Sequence, residues 1–434
     1  MPTIACHTLG CKVNQYDTEA MLELFQQAGY SAVSMDNAAD VYLLNTCTVT
    51  GTGDRKSLQL ARRIKREHPD SLLILCGCLA QKRKESLLVE TGADLVLGTQ
   101  FRGQVVSLLN RVRQEGHPLC VAAPLPSRMP FEALNISRVE GHTRAAVKIQ
   151  EGCSNRCTYC IIPSVRGPIR SRPLNDLTDE ILRLRDAGFT EIVLTGIHLA
   201  SYGSDRPSGK RISLLDAIQA VHAVEGIQRI RLGSLEPVVA TEDFCQSLKE
   251  MPKVCPQFHL ALQSGSDTVL ERMKRRYHTD QYLSAVERIR AAFPRAALTT
   301  DILTGFPGET EAEYEETRNM ILRVGYARIH VFPYSPREGT PAASFPGQLT
   351  RAEKERRTRE LISLGEEVSR RYLETWIGQS SSLLPEEQVD GRWEGYTPEY
   401  IRVTLPPEAR AQSGVLLPVR LTSLLPGGMA GEPL

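Results

Sequence analysis

The chain has 434 residues, of which 41% are hydrophobic and 24% are charged. This balance is typical of a globular protein of about two to four domains, and it excludes a disordered, collagen-like or coiled-coil chain. The 52 Lys and Arg residues nearly cancel the 51 Asp and Glu residues, so the formal net charge is +1. A protein that simply coats nucleic acid carries a clear basic excess, so any such partner must be bound locally.

Eleven cysteines are present, an odd number in a chain much longer than the secreted domains that disulfides stabilise. The N-terminal residues 1–12 show no basic leader followed by an apolar segment, so no secretory signal is expected. No apolar run approaches the roughly 18 residues that span a bilayer, so no membrane partner is expected. We therefore expect a cytoplasmic protein whose thiols serve metal binding, catalysis or core packing.

The first part of the chain, residues 1–130, has the pattern of an open α/β domain. Buried parallel strands are predicted at residues 4–9, 41–46, 72–76 and 95–97. Helices are predicted between them, for example at residues 18–27 and 58–67, and Gly29 stands where a C-terminal cap is expected. The proline-rich residues 116–142 then predict a linker or crossing loop.

The central part, residues 140–372, has six strand-like runs separated by helical segments. The runs are at residues 145–149, 191–194, 229–232, 258–262, 297–303 and 328–332. Repeated strand–helix units predict a parallel sheet, here a partial (β/α)6 barrel. The mixed-charge helix predicted at residues 351–372 is interpreted as a solvated connector.

The last part, residues 375–434, predicts a small β-barrel. Short apolar runs at residues 400–405 and 415–421 are separated by glycine and proline, which is typical of short strands and turns. Residues 426–434 are expected to fray. The overall prediction is therefore an α/β protein of three domains.

The strongest chemical motif is Cys153-x-x-x-Cys157-x-x-Cys160, which follows the first strand of the central part. Three thiolates on one short loop can each bind one iron of a 4Fe–4S cluster and leave the fourth iron for a non-protein ligand. A zinc site is normally closed by four ligands, and no second cysteine pair stands nearby in the sequence. Three ordinary buried cysteines at this spacing are the less favoured interpretation.

Small or polar residues follow each of the other predicted barrel strands. In (β/α) barrels the active site gathers at the C-terminal ends of the strands, so these residues indicate one open cavity. The residues are Gly196, His198, Ser234, Glu236, Gln263, Ser264, Gly265, Asp301, Gly305, Tyr334 and Arg337.

The three-cysteine loop at the first strand end resembles that of the radical S-adenosylmethionine enzymes. The resemblance implies that the methionine part of S-adenosylmethionine binds the open iron through its amino and carboxylate groups. It also implies that an electron from the cluster cleaves this cofactor to a 5′-deoxyadenosyl radical. The cofactor contacts implied at the strand ends are Gly196, Ser234, Glu236, Gln263 and Asp301.

Three further cysteines, Cys11, Cys47 and Cys78, each follow a predicted strand of the first domain. They would meet at one edge of the sheet, where open α/β sheets bind ligands. Their separations of 36 and 31 residues fit buried structural cysteines about as well as a metal cluster.

Together with the radical loop, these stretches resemble the methylthiotransferases. Further matches, such as Arg166-Gly167, residues 259–266 and residues 301–309, extend the resemblance over about residues 3–345. The resemblance implies that Cys11, Cys47 and Cys78 hold a second 4Fe–4S cluster that carries or supplies sulfur. Cys76 does not match and is interpreted as a buried neighbour.

Members of this family modify isopentenyl-adenosine in tRNA, threonylcarbamoyl-adenosine in tRNA, or an aspartate of a ribosomal protein. Residues 9–17 and 196–199 are most similar to the second subgroup. This similarity implies methylthiolation at carbon 2 of N6-threonylcarbamoyladenosine at position 37, in the anticodon loop of tRNA. An electron donor such as flavodoxin or ferredoxin is also implied.

The C-terminal part resembles a TRAM module, a small RNA-binding barrel, at residues 395–397 and 400–403. Its charge differs from that of a simple RNA-binding surface, because residues 375–434 contain four Arg and seven acidic residues. An acidic barrel suits a basic protein partner, which keeps the ribosomal-protein substrate open. A non-enzymatic iron–sulfur or zinc scaffold that binds RNA is the remaining alternative.

Overall fold

The structure is a computed structural model that describes residues 1–137, 143–207 and 212–434. The end of the predicted linker and the predicted start of the central domain at residue 140 lie outside the described residues. Within the described ranges, no helix is both long enough and apolar enough to cross a membrane.

The N-terminal region is a six-stranded parallel sheet with helices on both faces. Its strands are β1 (Thr3–Thr8), β2 (Ser31–Val33), β3 (Val41–Thr46), β4 (Leu72–Gly77), β5 (Leu95–Leu97) and β6 (Leu119–Cys120). Its helices are α1 (Lys12–Gln27), α2 (Gly51–Glu67), α3 (Cys78–Arg83), α4 (Ser86–Thr91) and α5 (Val105–Glu115). The strand order is β2-β1-β3-β4-β5-β6. The order reverses between β1 and β3, which is the point where such sheets form a ligand crevice.

The predicted open α/β fold is confirmed, but α1 and α2 begin several residues earlier than the apolar pattern predicts. The first turn of α2 contains Gly51 and Gly53, which have low helix propensity. The Thr50 side chain accepts a hydrogen bond from the Gly53 amide and stabilises this turn. Gly29 follows α1 with a φ of +88°, as expected for a residue that ends a helix.

The segment predicted as a linker or crossing loop is partly built into its neighbours. Its residues 119–120 form β6, which pairs with β5 at the sheet edge. Further along, Leu134 and Ile136 are buried in the core of the central region. Apolar residues scattered among prolines gave no periodic pattern, so this packing was not predicted.

The central region contains all six predicted strands and one short additional strand. The strands are β7 (Arg144–Glu151), β8 (Arg170–Ser171), β9 (Glu191–Gly196), β10 (Arg229–Leu232), β11 (Gln257–His259), β12 (Ala297–Thr304) and β13 (Arg328–Pro333). The helices are α6 (Ile162–Arg166), α7 (Leu174–Asp186), α8 (Leu214–His222), α9 (Glu242–Lys249), α10 (Asp267–Arg272), α11 (Thr279–Ala292), α12 (Glu311–Val324) and α13 (Arg351–Glu374).

The parallel strands are arranged as the predicted partial barrel. The strand β9 lies between β7 and β10, and β12 lies between β11 and β13. A parallel bridge between Leu235 and Leu260 connects the two groups of strands. The short β8 pairs antiparallel with β7. The helices cover the outside of the barrel, so the lumen and the C-terminal strand ends are the parts that can form an active site.

Helix α13 differs from its prediction as a solvated connector. Leu361 and Val368 of this helix are buried in the central core. Gly365 lies so close to β13 that an added Cβ atom would stand 2.4 Å from Ile329 Cγ1. The connector interpretation was therefore wrong, because a narrow apolar stripe in a highly charged helix is sufficient for packing.

The C-terminal region is the predicted small barrel, closed in the order β14-β15-β16-β18-β17. Its strands are β14 (Ser380–Val389), β15 (Arg392–Tyr396), β16 (Arg402–Thr404), β17 (Leu417–Leu425) and β18 (Gly428–Pro433). The expected fraying of residues 426–434 was wrong, because β18 closes the barrel and buries Met429. Gly428 and Gly431 weaken the apolar pattern of β18, but they allow its close approach to Arg402 and Val403.

The small barrel lies against the N-terminal ends of the central strands. Arg144, the first residue of β7, forms an ion pair with Glu386 at 2.5 Å. Arg229, the first residue of β10, donates a hydrogen bond to the carbonyl of Tyr396 at 3.0 Å. Arg231 donates to the carbonyl of Pro398 at 2.9 Å. The small barrel therefore closes the base of the central barrel.

Candidate active site at the junction of two three-cysteine groups

The loop of Cys153, Cys157 and Cys160 is fixed by its backbone. Gly152 begins the loop with a φ of +73°, and an added Cβ atom would lie 1.9 Å from the Pro168 carbonyl oxygen. The Cys153 amide donates to the Gly167 carbonyl at 3.0 Å. These contacts hold the loop at the C-terminal end of β7, where a barrel active site is expected.

A hydrogen-bonded group of polar side chains surrounds this loop. Arg275 donates from Nη1 to Cys157 Sγ at 3.3 Å and from Nη2 to Glu236 Oε1 at 2.7 Å. His198 Nε2 lies 2.9 Å from Glu236 Oε2. The backbone N–H of Asn155 donates a hydrogen bond to Cys153 Sγ at 3.4 Å. Although burial raises the pKa of Glu236, its hydrogen bond with His198 and the charge of Arg275 lower this pKa overall.

The second group consists of Cys11, Cys47 and Cys78 in the N-terminal region. Cys11 immediately precedes α1, Cys47 follows β3, and Cys78 is the first residue of α3. Gly10 has a φ of +107°, and an added Cβ atom there would lie 2.9 Å from Cys47 Cβ. A glycine is therefore needed for the ends of β1 and β3 to approach each other.

Burial favours the protonated form of Cys47 in one group and of Cys160 in the other. The pKa of Cys47 is raised to about 11, mainly by burial and to a smaller extent by the nearby Cys78 and Cys11 thiols. Burial likewise raises the pKa of Cys160 to about 12, with contributions from Cys157 and Cys153. Metal ligation needs thiolates, so each group would release protons when it binds a cluster.

Arg166 connects the two groups. Its Nε donates to Cys78 Sγ at 3.3 Å, and its Nη1 lies 3.2 Å from Asp17 Oδ2. The same Nη1 donates to Glu151, which ends β7 directly before the Gly152-Cys153 loop. We call these three charged residues, together with Arg102 and Lys148, the interdomain charge network. All five side chains of this network are buried.

Cys76 and Cys78 lie in different surroundings despite their closeness in sequence. The strand β4 ends at Gly77, which has a φ of +91°. Because the extended chain stops there, the two side chains need not share a direction. Cys76 is buried in the apolar core beneath α1 and α5, and its Sγ lies 3.8 Å from the Leu44 carbonyl. Cys78 instead packs against Ile161, next to the radical loop.

One cavity of about 470 Å³ is lined by both cysteine groups. It is lined by Cys11 and Cys47 from the N-terminal region and by Cys160 from the radical loop. Gln263 and Asp301, two of the expected cofactor contacts, also line it. Its volume is within the range of sites that bind small molecules and cofactors. We call this space the central cavity.

The residues that line the central cavity do not include the other expected cofactor contacts, Gly196, Ser234 and Glu236. Glu236 is held next to Cys157 by Arg275. Gly196 ends β9, and an added Cβ atom there would lie 2.9 Å from Gln150 Cβ. Ser234 is exposed.

Each group supplies three thiols, the donor type that binds the irons of a 4Fe–4S cluster. Among the residues that the structure describes, no group of three or more His, Cys, Asp or Glu side chains is arranged to hold one metal ion. In a 4Fe–4S cluster each thiolate binds a different iron, so the ligands stand further apart than those around one zinc. The Arg275 and Arg166 donors lie against thiol sulfurs and favour the charged thiolate form.

Sequence reasoning missed the interdomain charge network. Its members come from β7, from α1 and from the segments after β5 and the radical loop, so no spacing connects them. The available indication was Lys148, a charged residue inside a predicted buried strand. A buried charge is almost always paired, and that rule would have suggested a partner from another region.

Comparison with known proteins gives two family matches that together cover most of the two larger regions. Residues 3–98 match a family described as "Uncharacterized protein family UPF0004". Residues 147–321 match the Radical SAM superfamily.

Curated relatives match nearly the whole chain. The threonylcarbamoyladenosine tRNA methylthiotransferase MtaB of Bacillus subtilis is 40% identical over 408 residues, which cover 93% of this chain and 90% of the relative. The protein of the same name from Thermotoga maritima is 35% identical and covers 93% of this chain and 91% of the relative. The tRNA-2-methylthio-N(6)-dimethylallyladenosine synthase of Akkermansia muciniphila is 34% identical, covering 97% of this chain and 96% of the relative.

Solved structures support the fold. The radical S-adenosylmethionine methyltransferase TsrM from Kitasatospora setae has a TM-score of 0.58 at 14% identity, covering 79% of this chain and 77% of that chain. The relatives of over 30% identity decide the family, and the superfamily match decides the type of chemistry. The chain belongs to the methylthiotransferases, radical S-adenosylmethionine enzymes that use S-adenosylmethionine and 4Fe–4S clusters to transfer a sulfur-containing group to their substrate.

Proposed function

We propose that this enzyme adds a methylthio group to carbon 2 of N6-threonylcarbamoyladenosine at position 37 of tRNA. The observation that carries the proposal is the central cavity, because cysteines of both groups line it. A sulfur-carrying site and a radical-generating site must act on one substrate atom, so they must face one enclosed space.

In this proposal Cys153, Cys157 and Cys160 hold the radical-generating cluster, and Cys11, Cys47 and Cys78 hold the auxiliary cluster. When bound, the clusters and S-adenosylmethionine supply the radical and the methylthio group. Arg275 and Arg166 donate hydrogen bonds to Cys157 and Cys78 and stabilise their thiolates.

The proposed contacts of S-adenosylmethionine are at the strand ends. They are Gly196, Ser234, Glu236, Gln263 and Asp301. Gln263 has a φ of +67°, an uncommon conformation for a residue with a side chain, and its Oε1 accepts a hydrogen bond from the Tyr159 hydroxyl at 3.0 Å. This hydrogen bond and the lining of the central cavity by Gln263 and Asp301 support a role in cofactor orientation.

The choice of nucleoside rests on the relatives and on the Cys11 motif. The two relatives named for threonylcarbamoyladenosine are 40% and 35% identical. Several relatives named for dimethylallyladenosine lie between 34% and 38%, so overall identity alone separates the two weakly. The target base lies in the anticodon loop, where an unpaired base can be splayed into a cavity.

The proposal also covers the domain bounds, the electron donor and the location. The three domains are residues 1–130, 140–372 and 375–434, and buried apolar clusters lie in all three. The domain at residues 375–434 is a TRAM-like barrel. A flavodoxin or ferredoxin supplies the electron that each cofactor cleavage consumes. A tRNA substrate supports a cytoplasmic location.

The test is a product analysis with the anaerobically reconstituted enzyme. Three substrates are compared: tRNA with threonylcarbamoyl-adenosine, tRNA with isopentenyl-adenosine, and the ribosomal protein. Mass spectrometry of the digested nucleosides should find the methylthio group on the first tRNA. Product on the isopentenyl tRNA alone, or on the protein alone, would overturn the substrate assignment.

Iron content tests the two-cluster assignment separately from the substrate. We expect about eight irons per reconstituted chain, since two 4Fe–4S clusters contain four irons each. Cys78→Ala should hold about half of that iron. Four or fewer irons in the wild-type protein would contradict the auxiliary site.

A further inference from the structure

Two large apolar side chains that line the central cavity are also exposed to solvent. They are Val49, which is 49% exposed, and Phe332, which is 46% exposed. Val49 belongs to the loop between β3 and α2, and Phe332 belongs to β13. A single exposed apolar residue needs no explanation, but two from different regions at one cavity indicate a place where a ligand is covered. We call Val49 and Phe332 the cavity rim.

Hydrogen bonds between the two regions hold the rim in place. The Gly51 amide donates to Ser335 Oγ at 3.1 Å. Arg337 donates from Nη2 to Thr48 Oγ1 at 2.7 Å. Thr48 and Gly51 flank one rim residue in sequence, and Ser335 and Arg337 follow the other. The two sides of the rim are therefore fixed relative to each other before any ligand binds.

Phe332 lies on the face of β13 that is turned away from the core. Ile329 and Val331 of this strand pack against the central core. The alternate residues Arg328, His330 and Phe332 are exposed, as expected when successive side chains of a strand point to opposite faces. The Phe332 ring is therefore directed to the open side of the strand and not into the protein core.

The ring of Phe332 is free for stacking, in contrast to the other aromatic rings of the central cavity. Tyr334 is only 3% exposed, and its ring packs edge-on against Phe306 with centroids 5.6 Å apart. Lys354 Nζ also lies 4.9 Å from the Tyr334 ring centroid. Tyr159 packs against Phe306 as well, at 6.4 Å. Among the residues that the structure describes, no other ring lies against Phe332.

Two exposed arginines near the rim have no carboxylate partner in the described part of the chain. Arg55 donates from Nη2 to Thr52 Oγ1 at 3.2 Å, so its guanidinium group lies by the end of α2 that follows Val49. Arg328 lies on the same exposed face of β13 as Phe332, about 13 Å along the strand. Unpaired guanidinium groups on both sides of the rim favour a phosphate backbone over a basic protein as the partner.

We propose that the cavity rim binds the nucleotides on either side of the target adenosine. The Phe332 ring stacks on one of their bases, and Arg55 and Arg328 bind their phosphates. This inference rests on the proposed function, in which a loop base enters the central cavity. Such a base leaves its neighbours without a stacking partner, and an exposed aromatic ring at the entrance replaces that partner. Stacking on aromatic side chains beside cations is a general way to bind single-stranded RNA.

The experiment compares two anticodon stem-loop RNAs that bind to the anaerobically reconstituted full chain. Both contain threonylcarbamoyl-adenosine at the target position, and in one of them the two neighbouring nucleotides lack their bases. The dissociation constant of each RNA is measured for the wild-type protein and for each variant at one salt concentration. Each RNA is compared only with itself across the proteins, so differences in loop flexibility between the two RNAs cancel.

Phe332→Ala should weaken binding of the intact RNA about tenfold, which is the size of one base–aromatic stacking contact. It should leave binding of the abasic RNA within about twofold of wild type, which also shows that the variant is folded. Phe332→Tyr should keep most of the affinity, because it keeps an aromatic ring. Leu322→Ala truncates an apolar residue of α12 that is 47% exposed and lies outside the central cavity. It is the matched control and should change neither constant.

The arginine variants test the phosphate contacts separately from stacking. Arg55→Ala and Arg328→Ala should each weaken both RNAs by the same factor, because the abasic RNA keeps its phosphates. Each substitution should also lower the slope of log affinity against log salt concentration by about 0.7, as expected for one phosphate contact on a single strand. Unchanged slopes in both variants would contradict the phosphate contacts.

Three outcomes overturn the stacking role of Phe332. An equal loss of affinity for both RNAs in Phe332→Ala shows that the ring contacts no base beside the target, and no loss for either shows that the RNA avoids the rim. Loss of ribosomal-protein binding with RNA binding intact assigns the rim to a protein instead. The proposed function fails in a different way, because then the wild-type enzyme forms no methylthio product on threonylcarbamoyl-adenosine, whatever the affinities of the two RNAs.

Discussion

The two cysteine groups use the same ligands but are built in different ways. Cys153, Cys157 and Cys160 lie on one loop of the central barrel, so local backbone contacts position all three. Cys11, Cys47 and Cys78 come from three strand ends and meet only because β1, β3 and β4 are neighbours in the sheet. The first group is therefore encoded by spacing, and the second by topology.

Each cysteine group has an arginine that donates to one of its thiols, and the two arginines differ in their other partners. Arg275 donates to Cys157 and Glu236, and its side chain keeps 8% of its surface exposed. Arg166 donates to Cys78 and is fully buried between two carboxylates, Asp17 and Glu151, which belong to different regions. The arginine of the auxiliary group thus also holds the N-terminal region against the central barrel.

The largest expected effect separates the two groups by reaction step. Cys157→Ala should abolish the reductive cleavage of S-adenosylmethionine, with a loss of at least about 100-fold, because the radical-generating cluster loses a ligand. Cys78→Ala should leave cleavage within about threefold of wild type and yield no methylthio product. Chromatography of 5′-deoxyadenosine measures the first step, and nucleoside mass spectrometry measures the second.

The assignment of one reaction step to each cysteine group is contradicted if Cys157→Ala and Cys78→Ala lose the same steps. Equal loss of cleavage in both would mean that the groups form one functional unit rather than two. Full methylthio product from Cys78→Ala would show that Cys78 is not a cluster ligand. Lys249→Met, which removes an exposed lysine at the end of α9, is a suitable control, since it leaves both cysteine groups untouched.

Much of the fold follows from local sequence patterns. All six central strands were predicted from runs of apolar residues, because buried strands need such runs to form a core. The radical loop could be identified from three cysteines within one turn-rich segment. The junction of Cys11 with Cys47 could be anticipated only in outline, from their positions after predicted strands.

The remaining features depend on contacts between distant segments. Arg166 and Asp17 are far apart in sequence, and no local pattern distinguishes a buried arginine from an exposed one. The strand β18 was missed because Gly428 and Gly431 are poor strand formers that are required here by close packing.

The second prediction compares the two arginines. Arg166→Met should destabilise the contact between the N-terminal and central regions by about 3–5 kcal/mol, because Asp17 and Glu151 lose a buried partner. Arg275→Met should cost about 1–3 kcal/mol, since Glu236 keeps His198 at 2.9 Å. Hydrogen exchange of α1 and β7 in the cluster-free proteins measures the local difference.

The hydrogen-exchange measurement can also contradict the role of Arg166 between the N-terminal and central regions. If Arg275→Met loosens α1 and β7 as much as Arg166→Met does, then Arg166 has no special role between the regions. Arg166→Lys is the conservative variant, and it should restore part of the protection because Lys keeps the charge but not the forked geometry. The same variants leave the cysteines in place, so iron content shows whether either arginine is needed for cluster retention.

The smallest expected effect concerns Cys76, the cysteine nearest to Cys78 in sequence. Cys76→Ala should cost about 1 kcal/mol of stability, because one buried sulfur is removed from the core under α1. Iron content and methylthio product should remain at wild-type levels, because Gly77 ends β4 and leaves Cys76 in the apolar core while Cys78 contacts Arg166. A loss of product equal to that of Cys78→Ala would mean that the ligand is Cys76 and that β4 continues further than the structure shows. Because the two cysteines are only two residues apart, this pair tests whether topology, rather than proximity in sequence, selects the ligands of the auxiliary group.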